Sequence, residues 1–159
     1  MPARYLPIYL NDHLAGSTAG VELTRRTFAE NRNTDLGEFL SGLLSEIEED
    51  RATLINLMQA LSIKPSAIKV AAAWTVEKAG RLKLNGQVRG YSPLSRVVEL
   101  EGLTSGIAGK RALWQALGEI RVRDHRLREF DFDALAERAS SQLERLKPYR
   151  LAANREAFG

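Results

Sequence analysis

The chain has 159 residues, no cysteine, and 23 basic against 20 acidic side chains, for a net charge of +3. That length suffices for one domain with an ordinary core. The lack of cysteine excludes disulfide frameworks, thiolate zinc sites, iron–sulfur clusters and thiol nucleophiles. The charge excess is mild for a nucleic-acid binder, Met1 to Leu6 carry no leader-type apolar run, and no apolar stretch approaches the ~20 residues that span a bilayer. The expectation is a soluble, cytoplasmic, single-domain protein.

Five helices follow in chain order. Over residues 7–31, Leu10, Leu14, Ser17, Val21, Thr24 and Phe28 recur at alternating steps of four and three, which places them on one helical stripe. Asp35 and Glu38 have capping-box spacing and open a helix over 35–62. Its seam is Leu36, Leu40, Leu43, Ile47, Asp50, Leu54, Leu57 and Leu61, interrupted only by Asp50. Pro65 ends it, and the short link at 31–34 makes the first two helices an antiparallel hairpin.

A crossover helix is expected over 66–84, stopped by Asn85-Gly86. Ser92-Pro93 is a strong start for a helix over 93–120 that carries Val97, Leu100, Leu103, Ile107, Trp114 and Leu117. After a basic link, Asp133 is the expected cap of a last helix over 133–147 with Leu135, Ala139, Leu143 and Leu146. Pro148 is expected to kink or end it, leaving Tyr149 to Phe158 as a tail. Only Ile120 to Arg123 alternates apolar and polar residues, too briefly for a strand. The fold class is therefore all-α.

Two features break the local rules. Gly16 and Gly20 in the first helix, and Gly102, Gly106 and Gly109 in the fourth, each cost up to ~1 kcal/mol relative to alanine. Close packing of the two helices at Gly16/Gly20 and Gly102/Gly106 is the expected offset, with room for a ligand or a kink as the alternative. Asp50 in a leucine seam needs a partner, because an unpaired buried carboxylate costs several kcal/mol or takes up a proton. Ser17, Thr18, Lys110 and Arg111 are within reach, and Asp50 with Ser17 forms the expected structural polar core.

Two long helices, a connection of roughly thirty residues and two more long helices resemble the layout of ferritin-like bundles. Tyr9-Leu10-Asn11, Val98-Glu99-Leu100-Glu101-Gly102 and the ending Ile63-Lys64-Pro65 resemble bacterioferritin-type sequences at the corresponding helices. The resemblance implies an antiparallel four-helix bundle with one long crossover. It also implies a di-iron site of two glutamates and two Glu-x-x-His motifs, in which hard carboxylates bridge the metals. In that register Ser17 stands in place of a glutamate, Ile47 and Asp50 in place of Glu and His, and Glu99 matches. Glu137-x-x-Ser140 lacks its histidine. The metal candidates are thus Glu99, Asp50 and Glu137, with Glu22, Glu46 and Glu49 available in a shifted register.

The two histidines, His13 and His125, lie away from the motif positions. No nucleophile triad, P-loop or dinucleotide fingerprint is present. The resulting expectation is a non-catalytic ferritin-like binding or interaction protein without a cofactor, a homodimer on base rates. The enzymatic alternative is a carboxylate oxidase or iron-handling protein using iron or manganese. The second alternative is nucleic-acid binding through Arg121, Arg123, Arg126 and Arg128. Trp74 and Trp114 read as core or interface anchors.

Overall fold

The computed structural model describes residues 4–69, 71 and 90–159. Four long helices dominate: α1 (Leu6–Glu30), α2 (Asp35–Ala60), α3 (Pro93–Ile120) and α4 (Phe132–Phe158), with a 3-10 turn at His125–Leu127. Among the described residues there is no strand, and no helix is long and apolar enough to cross a membrane. The expected crossover helix over 66–84, and Trp74 with it, lies largely outside the described residues. Ala67 to Lys69 are helical.

The seam of α2 is buried along its whole length, from Leu36 through Asp50 to Leu61. Helix α1 packs on α2 and on α3, and α4 packs on α3 and meets α2 more sparsely. Each of these neighbours runs antiparallel. Thr18 bonds Arg51 and Arg25 bonds Glu48 across α1–α2. Arg26 bonds Glu99 across α1–α3. Lys110 reaches Gln142, and Arg96 reaches Glu156, across α3–α4.

The core divides in two. One apolar cluster holds Val21, Leu40, Leu43, Ile47, Leu100, Leu103, Ile107 and Leu146. The other holds Leu10, Leu14, Leu54, Leu57, Leu113, Trp114, Leu117 and Phe132. Asp50 on α2 and Lys110 on α3 both fall between the two clusters.

Three helix ends differ from the sequence expectation. The cap of α2 is Thr34, whose hydroxyl accepts from the Gly37 N–H at 3.1 Å while donating to the Asn31 carbonyl at 2.7 Å. Asp35 and Glu38 instead fill the first turn, where their charge suits the helix dipole. The cap of α4 is Asp131, accepting from Ala134 at 3.0 Å, and not Asp133. Helix α4 also runs through Pro148 to Phe158, so the expected tail is helix. Pro148 and Glu144, whose carbonyl loses its i+4 donor, are both exposed to water. Beyond the proline, Tyr149 stacks on Phe39 at 4.7 Å and Ala153 is buried, so tertiary packing carries the helix past the break. The start of α3 is as expected, with Ser92 and Ser95 capping reciprocally.

The expected contact of α1 and α3 through facing glycines is not made at Gly16, Gly20 or Gly106. A Cβ at Gly16, Gly20 or Gly106 would meet nothing within 4 Å, and only Gly102 is close to a neighbour, Leu23 at 3.1 Å. Gly37 is the glycine that close approach requires, since a Cβ there would lie 2.1 Å from the Asn31 carbonyl oxygen. Gly16→Ala and Gly106→Ala are therefore expected to raise stability by about 0.5–1 kcal/mol each through helix propensity. Gly37→Ala lowers it, and urea unfolding midpoints of the three variants check the opposite signs.

Candidate functional site

The break in the core is a charge layer. Asp50 is 2% exposed. One carboxylate oxygen accepts from Lys110 Nζ and, at 3.2 Å, from Gln142 Nε2; the other accepts from Arg138. Lys110 also donates to Gln142 Oε1 at 2.5 Å. Gln142 donates to Glu46 at 3.0 Å, Arg138 to Glu49 at 3.0 Å, and Arg145 to Glu46 at 2.7 Å. Three carboxylates thus face three cations, so the layer is neutral while each member keeps a charge-assisted bond.

Burial shapes the protonation of these groups. It pulls the Lys110 ammonium below its ordinary value, and the nearby Asp50 carboxylate partly restores it. For Glu46, burial pushes up, but bonds from Arg145 and Gln142 outweigh it and the carboxyl ends below its usual range.

Of the partners expected for Asp50, Lys110 is one and the others are not. Ser17 donates to the Leu14 carbonyl at 2.7 Å, and Thr18 accepts from Arg51 at 3.2 Å. Arg138 and Gln142 are the partners that the sequence reading missed. Gln142 is fully buried between Ala139 and Leu146 in the α4 seam. A polar residue at a seam position of a second helix was the signal that could have paired it with Asp50.

The metal candidates lie apart. Glu99 is 8% exposed and accepts from Arg26 Nε at 3.0 Å. It belongs to another polar cluster, in which Asn31 donates to the Tyr91 hydroxyl at 3.0 Å and accepts from Arg96 at 3.0 Å. Glu99 and Lys110, the lysine that holds Asp50, are eleven residues apart on α3, about 16 Å of helix rise. Glu137 is exposed on α4. In the shifted register, Glu46 and Glu49 are held by arginines, and Glu22 pairs with Arg25 at 2.5 Å. Among the described residues, no three His, Asp or Glu side chains form a group that could hold a metal. A metal at Asp50 would have to displace two cations and an amide, so this donor set does not fit a di-metal centre.

Beside the charge layer lies a cavity of about 430 Å³ framed by α1, α2 and α3. Its walls include Gly16, Gly20, Gly102, Gly106 and Gly109, all of which except Gly102 would place a Cβ in open space. Ile47, Leu54, Leu103, Ile107, Leu113 and Trp114 supply apolar surface, and His13, Arg51, Asp50 and Lys110 supply polar groups. His13 packs edge-on against Tyr9 at 4.6 Å. Burial lowers its imidazole below the ordinary 6.5, with the Asp12 charge acting in the opposite direction.

In the basic link, Arg126 is tied to Asp124 at 2.7 Å and Arg121 to Asp133 at 3.3 Å. Compared with known proteins, the chain matches no family model, no curated protein and no solved structure.

Two outcomes follow from this geometry. Asp50→Ala leaves Lys110 and Arg138 facing each other without their shared counter-charge and is expected to cost about 3–5 kcal/mol in urea unfolding. Replacing Asp50, Lys110 and Gln142 together by Leu, Met and Leu recovers most of that loss. His13 has a folded-state value below its unfolded one, so the unfolded chain binds more protons as pH drops below about 6.5. Stability therefore falls between pH 7 and pH 5.5, and His13→Gln, measured by thermal unfolding across that window, falls less.

Proposed function

We propose that the protein is a non-catalytic binding protein built on a ferritin-like antiparallel four-helix bundle with a long crossover. The helix directions support the architecture. Helix α1 is antiparallel to both α2 and α3, so α2 and α3 run the same way. The connection from α2 to α3 therefore begins and ends at opposite ends of the about 39 Å length of α2. The two ends of that connection are pinned at opposite ends of α1. Asn11 accepts from the Ser66 N–H at 2.6 Å and donates to the Lys64 carbonyl at 3.2 Å, whereas Asn31 bonds Tyr91.

The observation that carries the non-catalytic reading is the state of Asp50. It stands where the ferritin resemblance calls for a metal ligand, and Lys110, Arg138 and Gln142 engage both of its oxygens. A bound ammonium and guanidinium supply the positive charge that a metal would otherwise bring. The carboxylate layer then serves the fold, and the cavity beside it is the candidate binding surface among the described residues.

Protein produced in medium supplemented with iron and manganese tests this reading. Elemental analysis after gel filtration is expected to find only traces of either metal. Stoichiometric metal that is lost on Asp50→Ala or Glu99→Ala would establish the carboxylate oxidase or iron-handling alternative instead.

A further inference from the structure

We propose that the cavity between α1, α2 and α3 binds a small amphiphile, a single aliphatic chain carrying one carboxylate, with the headgroup between Arg51 and Trp114 and the chain along the glycine faces. This deepens the binding role proposed above and rests on it. Four independent features of the cavity specify the ligand.

The first is space. Its volume of about 430 Å³ falls in the range of about 300–1,000 Å³ that small-molecule sites occupy. The space exists because side chains are missing from helix positions where alanine would be better tolerated. A methyl at Gly16, Gly20, Gly106 or Gly109 would touch nothing within 4 Å.

The second is shape. Gly102, Gly106 and Gly109 recur on one face of α3 over about 10 Å of helix rise, with Gly20 of α1 also on the wall. Ile47, Leu103 and Ile107 line the same end. This is a linear apolar trough, suited to an extended chain.

The third is an orphan donor. Trp114 is fully buried, forms part of the cavity wall, and its indole N–H has no acceptor among the described residues. A buried donor left unpaired costs about 1–3 kcal/mol, and a ligand oxygen relieves that cost.

The fourth is charge. Arg51 lines the cavity, gives its Nε hydrogen to Thr18 at 3.2 Å, and makes no ion pair among the described residues. Its terminal nitrogens offer the planar fork that fits a carboxylate. Lys110, on the same wall, has two of its three hydrogens engaged, by Asp50 and Gln142. The nearby carboxylates do not compete for Arg51. Asp50 is held by the charge layer, and Asp12 pairs with Lys69 at 2.6 Å. Arg51, the cavity cation without an ion pair among the described residues, calls for a singly charged headgroup. It lies one residue beyond Asp50, and Trp114 lies four beyond Lys110, whose bond to Asp50 sets the level, so the two stand about one turn apart.

Titration calorimetry with decanoate and with decanol, the same chain without the carboxylate, tests the proposal. Trp114 emission in a Trp74→Phe background reports on the same site. Decanoate is expected to bind at one site per chain, at least about tenfold more tightly than decanol, and to change the Trp114 emission. Arg51→Gln removes that preference and weakens decanoate by about tenfold while leaving decanol within about twofold. Gly106→Leu fills the trough and abolishes both, with circular dichroism checking that the helices persist. Equal affinity for the two probes, or indifference to Arg51→Gln, overturns the headgroup assignment. No binding by either probe, or binding that survives Gly106→Leu, overturns the site. Neither result bears on metal content, so failure of the ligand proposal and failure of the non-catalytic reading are separately observable.

Discussion

A carboxylate inside a leucine seam sets the terms for the rest of this protein. Left alone, Asp50 would be strongly destabilising, because desolvating a charge costs several kcal/mol even after relaxation. Lys110 from α3 and Arg138 and Gln142 from α4 offset that cost, so the carboxylate acceptable to the fold is one at which three helices meet. Apolar packing alone tolerates rotation and sliding of helices. A carboxylate that must meet an ammonium, a guanidinium and an amide tolerates far less of either. Helices α2 and α4 approach each other only sparsely, and the bonds that Gln142, Arg138 and Arg145 donate to Glu46, Glu49 and Asp50 join them alongside the Phe39–Tyr149 stack.

The same layer explains why the core is divided. On α2 the break falls between Ile47 and Leu54, and on α3 between Ile107 and Leu113. On α1 it coincides with Ser17 and Thr18, whose hydroxyls turn back to the Leu14 carbonyl at 2.7 and 3.1 Å. These hydroxyls satisfy themselves locally and leave the charges to the other three helices. The side of the layer facing α1 is consequently unfilled, and the cavity opens there.

Much of this was legible in the sequence where a single helix decides the outcome. The α2 seam, the Ser92 start and the need for a partner at Asp50 all follow from periodicity and cap chemistry. Lys110 was accessible because it lies one turn from Ile107 and Trp114 on a recognisable stripe. What was not legible depends on two helices at once. Arg138 and Gln142 reach Asp50 only through the rotation of α4, and Pro148 is tolerated only because Phe39 of α2 meets Tyr149 beyond it. The caps at Thr34 and Asp131 were displaced by one and two residues, since an acidic residue in the first turn and one at the cap position look alike in sequence.

The glycines show the limit most clearly, because local composition gives their cost without saying what offsets it. At Gly37 the offset is contact, with a backbone carbonyl occupying the place of a side chain. At Gly16, Gly20, Gly106 and Gly109 no atom takes that place, so helix–helix packing does not repay the weak propensity. A fold selected for stability alone would carry alanine there. These positions share one cavity wall with an indole N–H that has no acceptor and an arginine that has no counter-ion among the described residues. Three unrelated departures from good packing converge on one space, whereas the charge layer next to it has every carboxylate matched to a cation. Departures from local consistency concentrate where a protein is shaped for something other than its own fold. The contrast supports the proposed division of labour, in which the layer holds the helices together and the cavity takes the ligand.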